Sequence, residues 1–295
     1  MLRVLLIGNN GQLGWELARA LAPRCDLVAL DYPVIDLADE SRIRQVLRDR
    51  GRFQVIINAA AYTAVDRAES EKALAMSINA HGPRVLAEEA SHRGAVFVHY
   101  STDYVFDGAK GRPYVETDKP NPLSVYGESK LLAEQAIEQI GGPFLILRTA
   151  WVYSLRGDSF VNKVLLWATE QPKMRIVADQ VSNPTWTRSL AEATARILYE
   201  NQDDLRKYIN ERKGLYHLAG DGFTSRFEWA REILKRNPRA ASSITQELWP
   251  ASTAEFSTPA KRPLFSALDC RKFENTFGYR LPPWKDALSQ AMQES

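Results

Sequence analysis

Over its first 150 residues the chain alternates short branched apolar runs with stretches whose apolar residues recur at helical spacing, a rhythm few folds accept. Residues 3–7 (RVLLI) read as a strand buried on both faces, and the run stops at Gly8. Leu13, Leu17, Ala20 and Leu21 then mark a helix over 12–22, ended by Pro23. Residues 27–30 give a second strand, 41–50 an amphipathic helix, 55–57 a third strand and 71–91 a long helix. Residues 96–100 give a fourth strand, 123–140 a helix after a Pro-rich loop, and 144–147 a fifth strand. Strands alternating with helices imply an α/β fold with a doubly wound parallel sheet of Rossmann type.

The rhythm loosens after about residue 150. Residues 160–170, 189–201 and 225–236 look helical, while 240–262 is irregular and rich in Ser, Thr and Pro. The expected organisation is a dinucleotide-binding domain over 1–150, joined by a later contribution from about 175–205. A smaller, interleaved substrate-binding lobe is expected to take most of 151–295.

Charge and cysteine usage narrow the function. The 38 basic and 36 acidic side chains leave a net charge of +2, which gives no broad field for nucleic acid or an anionic membrane. Cys25 and Cys270 form neither a disulfide framework nor a metal motif, which points to a reducing compartment. The amino-terminal apolar run is short and ends in a glycine turn, so it reads as a strand and not as a signal segment. No apolar run approaches the roughly 20 residues of a membrane helix. A cytoplasmic protein with no nucleic-acid or membrane partner is expected.

Several patterns carry chemistry. Gly8-Asn9-Asn10-Gly11-Gln12-Leu13-Gly14 sits between the first strand and first helix. Glycines so placed let the backbone approach a pyrophosphate while helix amides face the anion, although a plain glycine turn would look similar. Asp31, about twenty residues on, can accept from ribose hydroxyls, or be an ordinary loop carboxylate. Asp36 and Leu37 are candidates to flank an adenine. Asn58-Ala59-Ala60-Ala61 offers small side chains at a strand end, where a flat cofactor can lie close. Asn79 is a polar residue in an apolar pattern, either on a helix surface or a buried brace for the site. Tyr126 and Lys130 are four apart on a helix, so the ammonium can sit beside the phenol and lower its pKa. A phenol tuned this way serves as an acid in carbonyl reduction. The preceding strand ends in Ser101-Thr102-Asp103-Tyr104, and the Thr102 hydroxyl can bond the same substrate oxygen.

These segments resemble the extended short-chain dehydrogenase/reductase family, and within it the enzymes that reduce dTDP-4-dehydrorhamnose. The likeness covers almost the full chain through GNNGQLG (8–14), NAAAYTAVDRAE (58–69), STDYVFDG (101–108), PLSVYGESK (122–130), LRTAWVY (147–153), NPTWT (183–187) and KRPLFSALD (261–269). It implies reduction of the C4 keto group of dTDP-4-dehydro-L-rhamnose to dTDP-L-rhamnose with NADH or NADPH. Tyr126 would be the acid, Lys130 its tuner and ribose anchor, and Thr102 the partner of the substrate oxygen. Thr102, Asp103, Tyr104, Trp151 and Arg262 match substrate positions. Asn10, Gly11, Gln12, Asp36, Leu37, Ala61, Tyr62, Thr63 and Tyr100 match cofactor positions, beside Gly8, Leu13, Gly14, Ala59 and Ala60 of the glycine and alanine turns.

Some members of that family pair through a magnesium ion held by glutamates. Here the carboxyl-terminal stretch offers Asp286 and Glu294 with Lys285 beside the first, so a homodimer is expected to form, if at all, without a bridging metal. A 4,6-dehydratase would need a second carboxylate where Tyr104 stands. A related reductase or 4-epimerase of nucleotide sugars, or a regulatory subunit resembling the methionine adenosyltransferase beta subunit, are the alternatives left open.

Overall fold

On strand β1 (Leu2–Ile7), Leu2, Val4 and Leu6 enter one hydrophobic cluster and Leu5 and Ile7 another, because successive side chains of a strand point to opposite faces. That is the packing of a sheet covered on both sides. The computed structural model in which this is seen describes every residue except Arg239, Glu294 and Ser295. Strands β2 (Cys25–Leu30), β3 (Val55–Asn58), β4 (Val96–Thr102), β5 (Phe144–Thr149) and β6 (Gly214–His217) join β1 in one sheet. Its order is β2-β1-β3-β4-β5-β6, and every neighbouring pair is parallel. The expected doubly wound fold is therefore what forms. Strand β6 was not among the five expected: GLYH is four residues long and ends in a histidine, too short to stand out.

The helices that build the site are α1 (Gln12–Leu21), α2 (Glu40–Asp49), α3 (Gly82–Arg93), α4 (Val125–Ile140), α5 (Phe160–Glu170), α6 (Thr187–Glu200), α7 (Arg226–Lys235) and α8 (Trp284–Gln293). Helices α1 and α6 pack together on one face of the sheet. Ile43 and Leu47 of α2, Val85 and Leu86 of α3, and Ile137 of α4 cover the other. The helix expected over 71–91 is broken. A short helix, Lys72–Met76, passes through a π-helical turn, Ser77–His81, before α3 begins. The wide turn carries Asn79, which is buried and bonded to the backbone of Tyr62.

A separate cluster rich in aromatic rings joins Trp151 and Tyr153 to Val161 and Val164 of α5, Trp229 and Ile233 of α7, and Trp284 and Leu288 of α8. Within 240–262, expected to be irregular, Glu247–Ala251 pairs in parallel with Lys173–Val177. Pro250 in that segment hides the strand from sequence reading, since proline is confined to edges such as this two-stranded ribbon. Among the described residues no helix is long and apolar enough to cross a membrane.

Candidate active site

The sheet order reverses between β1 and β3, and ligands of doubly wound folds lie outside the strand ends at such a point. Gly8 leaves β1 there with φ +92°, and a Cβ on it would stand 2.6 Å from the Ala60 nitrogen. A Cβ on Gly14 would stand 1.9 Å from the Gly8 carbonyl oxygen. The glycines thus let the β1 turn, the β3 end and α1 approach closer than any side chain allows. Helix α1 starts at Gly11 with no side-chain cap and no acid in its first turn, so its free amides suit an anion. Asp31 stands beside this turn: one oxygen accepts the Asn10 N–H and the other the Tyr32 N–H, both at 2.8 Å.

A cleft of about 730 Å³ opens at the switch point. Gly8, Asn10, Gly11, Gln12, Leu13, Asp31, Ala59, Ala60, Ala61, Thr63, Tyr100, Tyr126 and Lys130 all line it. Five residues expected at the cofactor lie off its walls. Gly14 packs behind the turn on Gly8. Asp36 accepts the Ala38 N–H at 2.8 Å, and Leu37 is buried against Gly82 at the start of α3. The Tyr62 hydroxyl donates to Glu71, and its N–H donates to Asn79 at 2.8 Å. Asn79 also donates to Ser129 of α4 at 3.1 Å, and Ser129 donates to the Tyr126 carbonyl at 2.8 Å, so Asn79 is a brace. The Gln12 amide accepts from the Ser154 N–H at 2.7 Å and donates to the Asp158 carbonyl at 2.9 Å, stapling α1 to the loop before α5. Ser101 Oγ and Thr149 Oγ1, on the ends of β4 and β5, face the cleft buried and without a hydrogen-bond partner.

Tyr126 enters on the first turn of α4, where the Ser124 side chain caps the helix by accepting the Gly127 N–H at 3.2 Å. The phenol is hydrogen-bonded to Thr102 at the end of β4. Burial, reinforced by the nearby Asp103 and Tyr104, raises its pKa. The lowered phenol pKa expected from Lys130 is therefore not seen. Lys130 is turned toward β4 instead: Nζ donates to the Tyr100 carbonyl at 2.6 Å and lies 3.1 Å from His99 Nε2. Burial pushes the amine down to about 8.

The expected substrate residues divide. Asp103 is sealed: its carboxylate accepts from Thr102 at 3.2 Å, from Ser182 at 3.1 Å and from Ser266, and burial pushes it up to about 6. It ties the β4 end to two distant segments. Tyr104 packs edge-on against Tyr126 with ring centroids 5.9 Å apart, and bonds to both Arg226 and Arg262. Arg262 also pairs with Asp66 at 2.6 and 3.1 Å, joining the segment after Ala251 to the turn after β3. Trp151 has φ 40°, a conformation rare for a non-glycine residue and one that stores strain. Its ring stacks on Trp229 and carries the Arg226 guanidinium 3.8 Å above it.

Arg226 was not anticipated. It opens α7 in an ordinary amphipathic pattern, and only the folded chain reveals its setting. Its guanidinium also lies over Phe160 and Trp229, and no carboxylate within ion-pair distance answers it among the described residues. With Arg262, Gln180, Phe160, Trp167 and Phe256 it walls a second cavity of about 470 Å³. His99 was also missed, since VFVHYST reads simply as a strand. Of the carboxyl-terminal acids, Asp286 lies in the first turn of α8 and Glu294 is outside the described residues.

The RmlD substrate binding domain family matches residues 2–295. A dTDP-4-dehydrorhamnose reductase of Burkholderia thailandensis is 40% identical over 296 residues, covering 99% of each chain. That of Escherichia coli K12 is 37% identical over 300 residues, covering 99% of this chain and 98% of its own. Among solved structures, the Bacillus anthracis dTDP-4-dehydrorhamnose reductase in complex with NADP superposes with a TM-score of 0.87. That pair shares 33% identity, and the match covers 100% of this chain and 99% of the other. The chain therefore belongs to the RmlD family, the family of the dTDP-4-dehydrorhamnose reductases.

Proposed function

We propose that the chain reduces the C4 keto group of dTDP-4-dehydro-L-rhamnose to dTDP-L-rhamnose, with NADH or NADPH as the hydride source. The observation that carries this reading is the Tyr126–Thr102 pair at the switch-point cleft, with the phenol held protonated by burial. The residues present fit a dinucleotide. The Gly8 turn leaves a cradle that a Cβ would fill, and Ser101 and Thr149 point unpartnered hydroxyls into the cleft. When bound, a nicotinamide cofactor supplies the hydride.

The chain's own residues do the rest. The free first-turn amides of α1, from Gln12 onward, would hold the pyrophosphate. Asp31 accepts from ribose hydroxyls, its two oxygens already oriented by backbone N–H groups. Tyr126 hands its phenolic proton to the keto oxygen, and Thr102 aligns phenol and oxygen by hydrogen bonding. Lys130, which lines the cleft, would anchor the ribose. Arg226, and beside it Arg262, take the diphosphate of the substrate, with the surrounding rings as walls for its nucleoside part. Elimination of water across the hexose, the dehydratase reading, lacks its second carboxylate, since Tyr104 occupies that place and Asp103 is sealed. Pairing of subunits, where it occurs, is expected without a bridging metal, because Lys285 adjoins Asp286.

Coupled turnover from dTDP-glucose with a dehydratase and an epimerase tests the reading. Steady oxidation of NADH or NADPH and appearance of dTDP-L-rhamnose by NMR are expected. NADH should serve at least as well as NADPH, because Asp31 repels a 2′-phosphate. A kcat/KM favouring NADPH by more than about tenfold would remove Asp31 from that role. No oxidation of either cofactor would remove the function itself.

A further inference from the structure

Ser101 and Thr149 each hold a buried hydroxyl in the cleft with no hydrogen-bond partner among the described residues. A buried hydroxyl left unpaired costs stability, and folds rarely keep one without a use. The two lie on different faces of the sheet. Ser101 comes two residues after His99 on β4, so it shares the face on which His99 meets Lys130. Thr149 closes β5 and stands in register with Thr102, the last residue of β4. Leu147 and Tyr100, two residues earlier on each strand, are also in register and pack in one cluster, so Thr149 and Thr102 share a face. Neighbouring strands run about 4.8 Å apart, which makes Thr149 the next side chain along the sheet from the hydroxyl bonded to Tyr126. Thr149 lines the cofactor cleft, whereas Trp151, two residues on, carries Arg226 at the second cavity.

We propose that the Thr149 hydroxyl binds the carboxamide of the nicotinamide ring and so fixes how the ring lies against the sugar. For hydride to pass, C4 of the ring must come within about 3–3.5 Å of the keto carbon. Tyr126 and Thr102 hold the oxygen of that carbon, so the ring must lie at the ends of β4 and β5. There Thr149 is the unpaired hydroxyl on the Thr102 side. The carboxamide is the one polar substituent of the ring, with an acceptor oxygen and a donor nitrogen, and a hydroxyl can answer either. The side chain of Val152, which also lines the cleft, offers apolar contact alone. Thr149 is β-branched and sits at the end of a central strand, so its hydroxyl has little freedom to turn away. The part of Thr149 in turnover rests on the reductase reading.

Calorimetry on Thr149→Val, which keeps the shape of the side chain and removes the hydroxyl, decides the matter. Affinity for NAD⁺ should fall about 5- to 10-fold, the scale of one neutral hydrogen bond. ADP-ribose lacks the ring, and pyridine adenine dinucleotide has the ring without its carboxamide. Both should bind the variant as they bind the wild type, and Thr149→Ser should recover the affinity for NAD⁺. In the wild type, NAD⁺ should bind at least about fivefold tighter than pyridine adenine dinucleotide. The ligand-free variant should melt at or above the wild-type Tm, since a methyl group replaces an unpaired buried hydroxyl. An unchanged NAD⁺ affinity in Thr149→Val, or a loss that ADP-ribose or the pyridine analogue shares, would overturn the proposal. So would a ligand-free variant that melts well below the wild type or fails to fold, because the hydroxyl would then have a structural partner. None of these measurements needs turnover, so a keto sugar left unreduced would count against the reductase reading alone.

Discussion

The two cavities of this molecule are built by opposite means. The switch-point cleft is made largely of backbone and small side chains at strand ends, with Gly8, Gly11 and Ala59–Ala61 within one turn of β1 and β3. The second cavity is made of long side chains from scattered elements: Phe160 on α5, Arg226 on α7, and Arg262 from the segment before α8. The first shapes itself by permitting close approach, the second by stacking a guanidinium among rings. Their tolerances should differ accordingly. Backbone positions in the cleft should accept no added atom, while the second cavity should lose affinity in steps as single groups are removed.

The largest effect belongs at the phenol, which lines the cleft and packs on Tyr104, the partner of Arg226 and Arg262. Tyr126→Phe should lower kcat by roughly 10²–10⁴ and leave cofactor affinity within a few-fold. Wild-type turnover in that variant would take the proton donor away from Tyr126.

Next comes the rigidity of the cleft. Gly14→Ala would drive a methyl group into the Gly8 carbonyl, backbone that cannot swing aside. Cofactor binding by calorimetry should weaken by about 100-fold, roughly 2.7 kcal/mol, while affinity for dTDP alone changes little. Equal losses for both ligands would mean the cavities are not independent.

The mirror experiment is Arg226→Gln. It should lower kcat/KM for the nucleotide sugar by about 10- to 100-fold, the scale of a charge-assisted contact, with NADH or NADPH affinity unchanged. An unchanged kcat/KM would place the diphosphate elsewhere.

The smallest effect is on stability and should come from the sheet side. Burial holds His99 well below its usual range and, with the Arg148 charge, His217 near 3. In the unfolded chain both titrate near 6.5. Below that value the unfolded chain binds protons that the folded one refuses, so stability falls as pH drops from about 6.5 toward 3. Each histidine contributes at most about 1.4 kcal/mol per pH unit across that window. Thermal melts at pH 7, 6 and 5 should show a declining Tm that His217→Gln makes shallower. A flat Tm over this range would mean that one or both rings take up protons in the fold.

The same contrast explains what the sequence reveals. The glycine turn, the Tyr126–Lys130 spacing and the strand ending at Thr102 are legible because each is a local pattern, placed by neighbours in the chain. Five strands are legible for the same reason, being local apolar runs. Strand β6 is not, since its four residues become a strand only by pairing with β5. Glu247–Ala251 likewise needs Lys173–Val177 beside it. Asp103 looks available in STDY, yet Ser182 and Ser266, far along the chain, close over its carboxylate. Arg226 and His99 carry no local signal at all: one begins an ordinary helix, the other sits in an ordinary strand. Spacing also places Lys130 near Tyr126 but cannot say which way the amine turns, and Tyr100 and His99 decide that.

The central claim is hydride delivery to C4 of the sugar with the proton taken from Tyr126. It is tested most directly by turnover of dTDP-4-dehydro-L-rhamnose with cofactor deuterated at C4 of the nicotinamide, followed by NMR of the product. Deuterium at C4 of dTDP-L-rhamnose, lost together with turnover in Tyr126→Phe, is the expected result. Product free of deuterium at C4, or a keto sugar returned unreduced by the wild-type protein, would contradict it.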